Sequence, residues 1–125
     1  MDHYILKGLR VLIVEDEALI AMLIEDMLVD LGCIVVGVAN SLEAGLKQVV
    51  SEEFDAAVVD VNLNGAESYP IAHSLKARSI PFVFSTGYGG KALPQALRNV
   101  PVLVKPFEHG DLERGLLEIR RGYRS

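Results

Sequence analysis

The sequence predicts an α/β fold, a doubly wound parallel sheet in one domain spanning residues 1–125. Three observations predict it. Five apolar runs of strand length recur, "LRVLIVED", "CIVVGVA", "DAAVVDV", "IPFVFST" and "VPVLVKP". These runs are apolar on both faces, as strands covered by helices on both sides are. Stretches with helical spacing separate them, and strands alternating with helices build parallel units. A chain of 125 residues, half of them apolar, is enough for one such core.

The elements follow in order. The first strand runs straight into Glu15, Asp16 and Glu17. Next comes the helical stretch "EALIAMLIEDMLVDLG", closed by Gly32 at C′. Within it Met22, Leu23 and Met27 are expected in the core or against the sheet. Cys33 opens the second strand as a small buried hydrophobe. Ser41 is placed to N-cap "SLEAGLKQVVSEEF". The third strand ends at Asp60, and Pro70 fits the first turn of the helix in "ESYPIAHSLKARS". Tyr69 and Tyr123 are expected to be peripheral.

The fourth segment, "TGYGGKALPQALRN", departs from this regularity. It carries Gly87, Gly89, Gly90 and Pro94. An interior glycine costs a helix about 1 kcal/mol and a proline about 3 kcal/mol, so the fourth helix is expected to be short or mobile. The last helix covers roughly residues 108–121, with arginines near its C-terminus where the helix dipole favours them.

Composition narrows the function. A net charge of −5 leaves no electrostatic footprint for DNA or anionic lipid. The single cysteine rules out an internal disulfide and suits a reducing cytoplasm. The N-terminal stretch lacks the pattern of a secretory signal, and the apolar runs are too short to span a membrane. His3, His73 and His109 are scattered and suggest neither a zinc site nor a phosphohistidine.

Open parallel sheets bind their ligands outside the carboxyl ends of the strands. There the first strand presents Glu15 and Asp16, the third Asp60, the fourth Ser85 and Thr86, and the fifth Lys105. Two carboxylates about 4 Å apart repel by roughly 4 kcal/mol at an effective dielectric near 20. A cation belongs among them. Mg²⁺ takes oxygen ligands and needs only one or two carboxylates, which Asp16 and Asp60 can supply, with Glu15 acting through water. A carboxylate whose charge is offset by metal and by Lys105 can attack a phosphoryl group. The Lys105 ammonium and the Thr86 hydroxyl would then help hold the product's added charge.

These residues resemble the receiver domain of bacterial two-component response regulators. The resemblance covers about Leu9 to Arg121 and rests on "VEDE", "VVDVNLNG", "FSTG" and "VKPF" in order. It implies a flavodoxin-like sheet of strand order 2-1-3-4-5. Asp60 resembles the phosphoacceptor, Asp16 the direct metal ligand and Glu15 the assisting acid, with the backbone carbonyl of Asn62 completing a site for Mg²⁺ or Mn²⁺. Thr86 resembles the switch hydroxyl and Lys105 the phosphoryl-contacting lysine, followed by a cis bond to Pro106. The implied partners are a histidine kinase or histidine phosphotransfer protein and a downstream protein target, unless the domain is a phosphate sink. The resemblance implies a cytoplasmic monomer or weak dimer that binds neither DNA nor membrane and catalyses its own phosphorylation without being a turnover enzyme.

"PFVFSTGYGG" is further similar to receivers with a Phe-x-Thr-Gly-Tyr signature, the FAT GUY subgroup. The aromatic residue usual three positions before the lysine is here Val102, which has no ring to swing inward. Tyr88 or the glycine-rich segment is expected to replace it, with residues 87–98 ordering on phosphorylation. Three alternatives compete. A magnesium phosphatase of the haloacid dehalogenase type needs an aspartate where this chain has Asn62. Flavin or nucleotide binding needs an anion cradle where this chain has "EDE". A phosphorylation-independent adaptor would retain the site without using it.

Overall fold

The structure is a computed structural model and describes residues 6–87 and 93–124, with side chains of the last helix as far as Arg120. Tyr88 and the glycines at 89 and 90 lie outside the described residues, as do His3 and the Tyr123 side chain. The strands are β1 (Arg10–Val14), β2 (Ile34–Ala39), β3 (Ala56–Asp60), β4 (Asn62–Leu63), β5 (Ala66–Glu67), β6 (Phe82–Thr86) and β7 (Val102–Val104). The helices are α1 (Ala18–Asp30), α2 (Leu42–Ser51), α3 (Tyr69–Ala77) and α4 (His109–Arg124), with a 3-10 turn at Gln95–Leu97.

Five strands form one parallel sheet in the order β2-β1-β3-β6-β7. With the small β4–β5 pair set aside, this is the expected 2-1-3-4-5 order. Successive strand residues face opposite layers. Val11, Ile13, Val58 and Val83 pack with Ile24, Leu28, Leu112 and Leu116 under α1 and α4. Leu12, Val14, Val59 and Phe84 pack with Val49, Ile71 and Leu75 under α2 and α3.

The predicted stop and start signals are in place. Gly32 follows α1 with φ +91°, the left-handed conformation that glycine adopts without strain. Ser41 Oγ accepts a hydrogen bond from the Ala44 N–H at 3.1 Å, capping α2. Pro70 sits in the first turn of α3, Cys33 is buried, and the Lys105-Pro106 bond is cis. After Pro94 the fourth segment forms only the three-residue 3-10 turn.

Four expectations change. Met22 and Leu23 are 59% and 57% exposed rather than in the core. Ala21, Ile24 and Leu28 already fill the seam against the sheet, and at about 100° per residue their neighbours turn away from it. Tyr69 is not peripheral: it is half-buried, and its ring meets Phe84 edge-on with centroids 6.3 Å apart. The edge strands are covered less than the central ones, leaving Ile34, Val38, Val102 and Val104 exposed. The sequence reading also missed the β4–β5 hairpin. Asn64 (φ 54°) and Gly65 (φ 92°) form its two-residue turn, and positive φ at both positions is what Asn-Gly permits.

Candidate functional site

The carboxyl edge of the sheet gathers the predicted residues. Glu15 follows β1 and is 1% exposed, while Asp60 ends β3 and is 5% exposed. Asp16 is half-buried beside them. Each of the three can place one carboxylate oxygen within 4.8 Å of the others. Lys105, just past β7, extends its ammonium to 3.0 Å from Asp60 Oδ2 and 2.8 Å from Glu15 Oε1. The contact with Asp60 is a hydrogen bond, whereas that with Glu15 is an ion pair lying off hydrogen-bond geometry, so Glu15 Oε1 lacks a hydrogen-bond partner among the described residues.

Backbone groups fix the remaining oxygens. The Glu17 N–H donates to Glu15 Oε2 at 3.1 Å, and the Asn62 N–H donates to Asp60 Oδ1 at 3.2 Å. The Asn62 side chain is turned away to the hairpin, its Oδ1 accepting the Gly65 N–H at 2.7 Å. Its backbone carbonyl is therefore what it can still offer a metal. Thr86 ends β6, and its side chain lines the same hollow of about 380 Å³ as Asp16, Asp60 and Lys105. Glu17, Asn64 and Gly87, to which the sequence reading gave no role in the site, also line it, and Asn64 comes from the hairpin that reading missed. The Asn-Gly dipeptide that builds the hairpin turn was the signal for it.

The charges do not balance. Burial pushes the Glu15 carboxyl up to about 7, against the downward pull of Lys105 and the Glu17 N–H. Burial also works against the Lys105 ammonium, but Glu15 and Asp60 outweigh it and hold the group above its ordinary value. One lysine thus serves two buried acids with a third alongside. Three converging carboxylates and a fully buried carboxylate oxygen without a hydrogen bond suit a hard divalent cation such as Mg²⁺, which prefers oxygen ligands. Among the described residues, the histidines take no part: His73 is exposed on α3, and His109 pairs with Asp30 at 3.0 Å on the surface.

Comparison with known proteins agrees with this arrangement. The family model described as "Response regulator receiver domain" matches residues 11–116. The transcriptional activator protein IrlR of Burkholderia pseudomallei is 33% identical over an alignment of 119 residues that covers 91% of this chain and 52% of IrlR. The chain thus spans about half the length of that relative. The solution structure of SdrG from Sphingomonas melonis Fr1 is 39% identical with a TM-score of 0.76, covering 94% of this chain and 98% of SdrG. The receiver domain of sensor histidine kinase PA1611 from Pseudomonas aeruginosa, which holds a magnesium ion in its active site cleft, shares the fold at 24% identity, with a TM-score of 0.75 and coverage of 91% and 98%.

Proposed function

The chain belongs to the response regulator receiver domain family, and from that premise we propose that it is a phosphoryl-accepting switch with Asp60 as the acceptor. The observation that carries this reading is the Lys105 ammonium held 3.0 Å from a buried Asp60 carboxylate, at a hollow shared with Asp16 and Thr86. The donor is a phosphohistidine on a histidine kinase or phosphotransfer protein. An Asp60 oxygen attacks phosphorus, the P–N bond to the imidazole breaks, and the imidazole leaves with that electron pair.

The residues divide the work. Asp16, Asp60 and the backbone carbonyl of Asn62 would hold Mg²⁺, with Glu15 behind them. When bound, the metal would neutralise charge on the phosphoryl oxygens. Lys105 supplies a further positive charge, and the Thr86 hydroxyl donates a hydrogen bond to the transferred group. Such transfers depend on positioning and electrostatics far more than on covalent chemistry by the protein. The phosphoryl group stays on the chain's own aspartate, so the domain is a switch in the cytoplasm and not a turnover enzyme. The run Phe84, Thr86, Gly87, Tyr88 supports placing it in the Phe-x-Thr-Gly-Tyr subgroup.

The test is intact mass after incubation with Mg²⁺ and acetyl phosphate. Wild type is expected to gain one phosphoryl group only when Mg²⁺ is present, and Asp60→Asn to gain none. An unchanged wild-type mass would favour the phosphorylation-independent adaptor, with Val102 marking the loss of switching.

A further inference from the structure

Ser85 is the residue of the carboxyl edge to which the proposed reaction gives no task. It lies on β6 in register with Asp60 of β3 on one side and Leu103 of β7 on the other. Paired residues of a sheet share a face, so its side chain projects with theirs. The side chain is completely buried, and its Oγ has no hydrogen-bond partner among the described residues. A buried hydroxyl in that state is costly, and its presence calls for an explanation such as a second state in which it is satisfied.

Lys105 supplies that state. Its backbone N–H donates to the Thr86 carbonyl at 2.8 Å, which fixes the start of the side chain beside β6. Its ammonium nevertheless reaches Asp60 on β3 and Glu15 beyond β1. The side chain therefore passes over the end of β6, from beyond Thr86 where it starts to the level of Asp60 and Ser85 where its ammonium is held. Without metal, the ammonium occupies the place of a cation between two carboxylates. A divalent cation that shares those oxygens repels the ammonium and competes for its acceptors. The ammonium is largely buried, with the Lys105 side chain only 15% exposed, so it needs another acceptor as it draws back. Among the described residues, Ser85 Oγ is a buried oxygen without a hydrogen-bond partner on the strand that it passes.

We propose that Ser85 is a positioning residue for Lys105, its hydroxyl accepting the ammonium when the acidic cluster takes up a divalent cation. This deepens the reading of the site as a Mg²⁺-dependent phosphoacceptor and rests on it. The hydroxyl contributes nothing in the metal-free protein. It acts by lowering the cost of admitting the metal and by keeping Lys105 at the site.

The test compares wild type, Ser85→Ala and Ser85→Thr by three readouts, none of them phosphorylation. Metal-free thermal midpoints are measured first. Mg²⁺ affinity is then titrated by NMR on the Asn62 and Gly87 amides, and the Lys105 ammonium ¹⁵N signal is followed across the titration. Ser85→Ala is expected to melt at or above wild type without metal, because it removes an unsatisfied buried group. It should bind Mg²⁺ about tenfold more weakly, the scale of one lost hydrogen bond to a charged group. The ammonium signal should change on metal binding in wild type and Ser85→Thr and follow a different course in Ser85→Ala, while Ser85→Thr recovers most of the affinity. Wild-type Mg²⁺ affinity in Ser85→Ala would overturn the role of Ser85 and leave the site's reading standing, as would a drop in metal-free melting that accounts for the weaker binding. A wild type that binds no Mg²⁺ would overturn both.

Discussion

The two ends of the sheet handle charge in opposite ways. At the amino edge, Arg10 meets Asp55 through its backbone N–H at 2.8 Å and its guanidinium at 3.3 Å, with Glu53 at 3.9 Å on the exposed side. Burial alone would raise the Asp55 carboxyl, but the bonds from Arg10 prevail and hold it below its ordinary value. At the carboxyl edge, two more deeply buried acids share one lysine, and Glu15 is pushed upward instead. The amino edge pairs its half-buried acid, Asp55, with Arg10 and leaves its second acid, Glu53, in solvent. The carboxyl edge is built with negative charge in excess, and so is shaped for something that arrives.

Removing the central cation should break this contrast most strongly. Lys105→Ala leaves Glu15 and Asp60 buried without their counter-charge, which should lower metal-free stability at pH 8 by roughly 3 kcal/mol. Urea unfolding measures it. The loss should shrink at pH 5, where Glu15 can take up a proton, and should be partly recovered by Mg²⁺. An equal loss at both pH values would mean that Lys105 acts through packing alone.

A pH series sharpens the comparison, because the two edges have opposite signs. The Glu15 carboxyl titrates near 7 in the folded chain against an ordinary 4.5. Between those values the folded chain keeps a proton that the unfolded chain has released, so metal-free stability falls as pH rises through the window. Replacing Glu15 with Gln should flatten that slope. Asp55 is shifted downward, so its contribution is present above the ordinary carboxylate range and is lost only as pH falls through it. Denaturant midpoints from pH 4 to 8, with and without the Glu15 substitution, separate the two.

Breaking the amino edge should have the smallest effect. Asp55→Ala removes a half-exposed ion pair and one backbone hydrogen bond, worth about 1 kcal/mol together. The change should be the same with and without Mg²⁺. A Mg²⁺-dependent difference would show that the two edges are coupled through the sheet.

Much of this was legible in the sequence because strands and their ends obey simple rules. The continuous apolar runs gave β1, β3, β6 and β7, and the residues at or just past their ends gave Glu15, Asp16, Asp60, Thr86 and Lys105. Gly32, Ser41 and Pro70 carry local signals that tertiary packing did not override. The exposed side of α1 was less legible, since "ALIAMLIEDML" is apolar nearly all around and its periodicity does not single out one face. Met22 and Leu23 therefore looked like core. The hairpin at Asn64–Gly65 was written in the sequence but is too short to read as a pair of strands. Ser85 could be named at the edge, yet its unsatisfied hydroxyl is a property of the packing around it and of the lysine that passes it.

The bond from the Lys105 N–H to the Thr86 carbonyl joins the last rung between β6 and β7. Lys105 and Thr86, which line one hollow with Asp60, are therefore joined by a backbone hydrogen bond. The same stretch of chain carries Val104 and Val102, exposed on the outer strand. The buried hollow and an apolar outer margin thus lie a few residues apart along one stretch of backbone, whichever side chain stands at position 102.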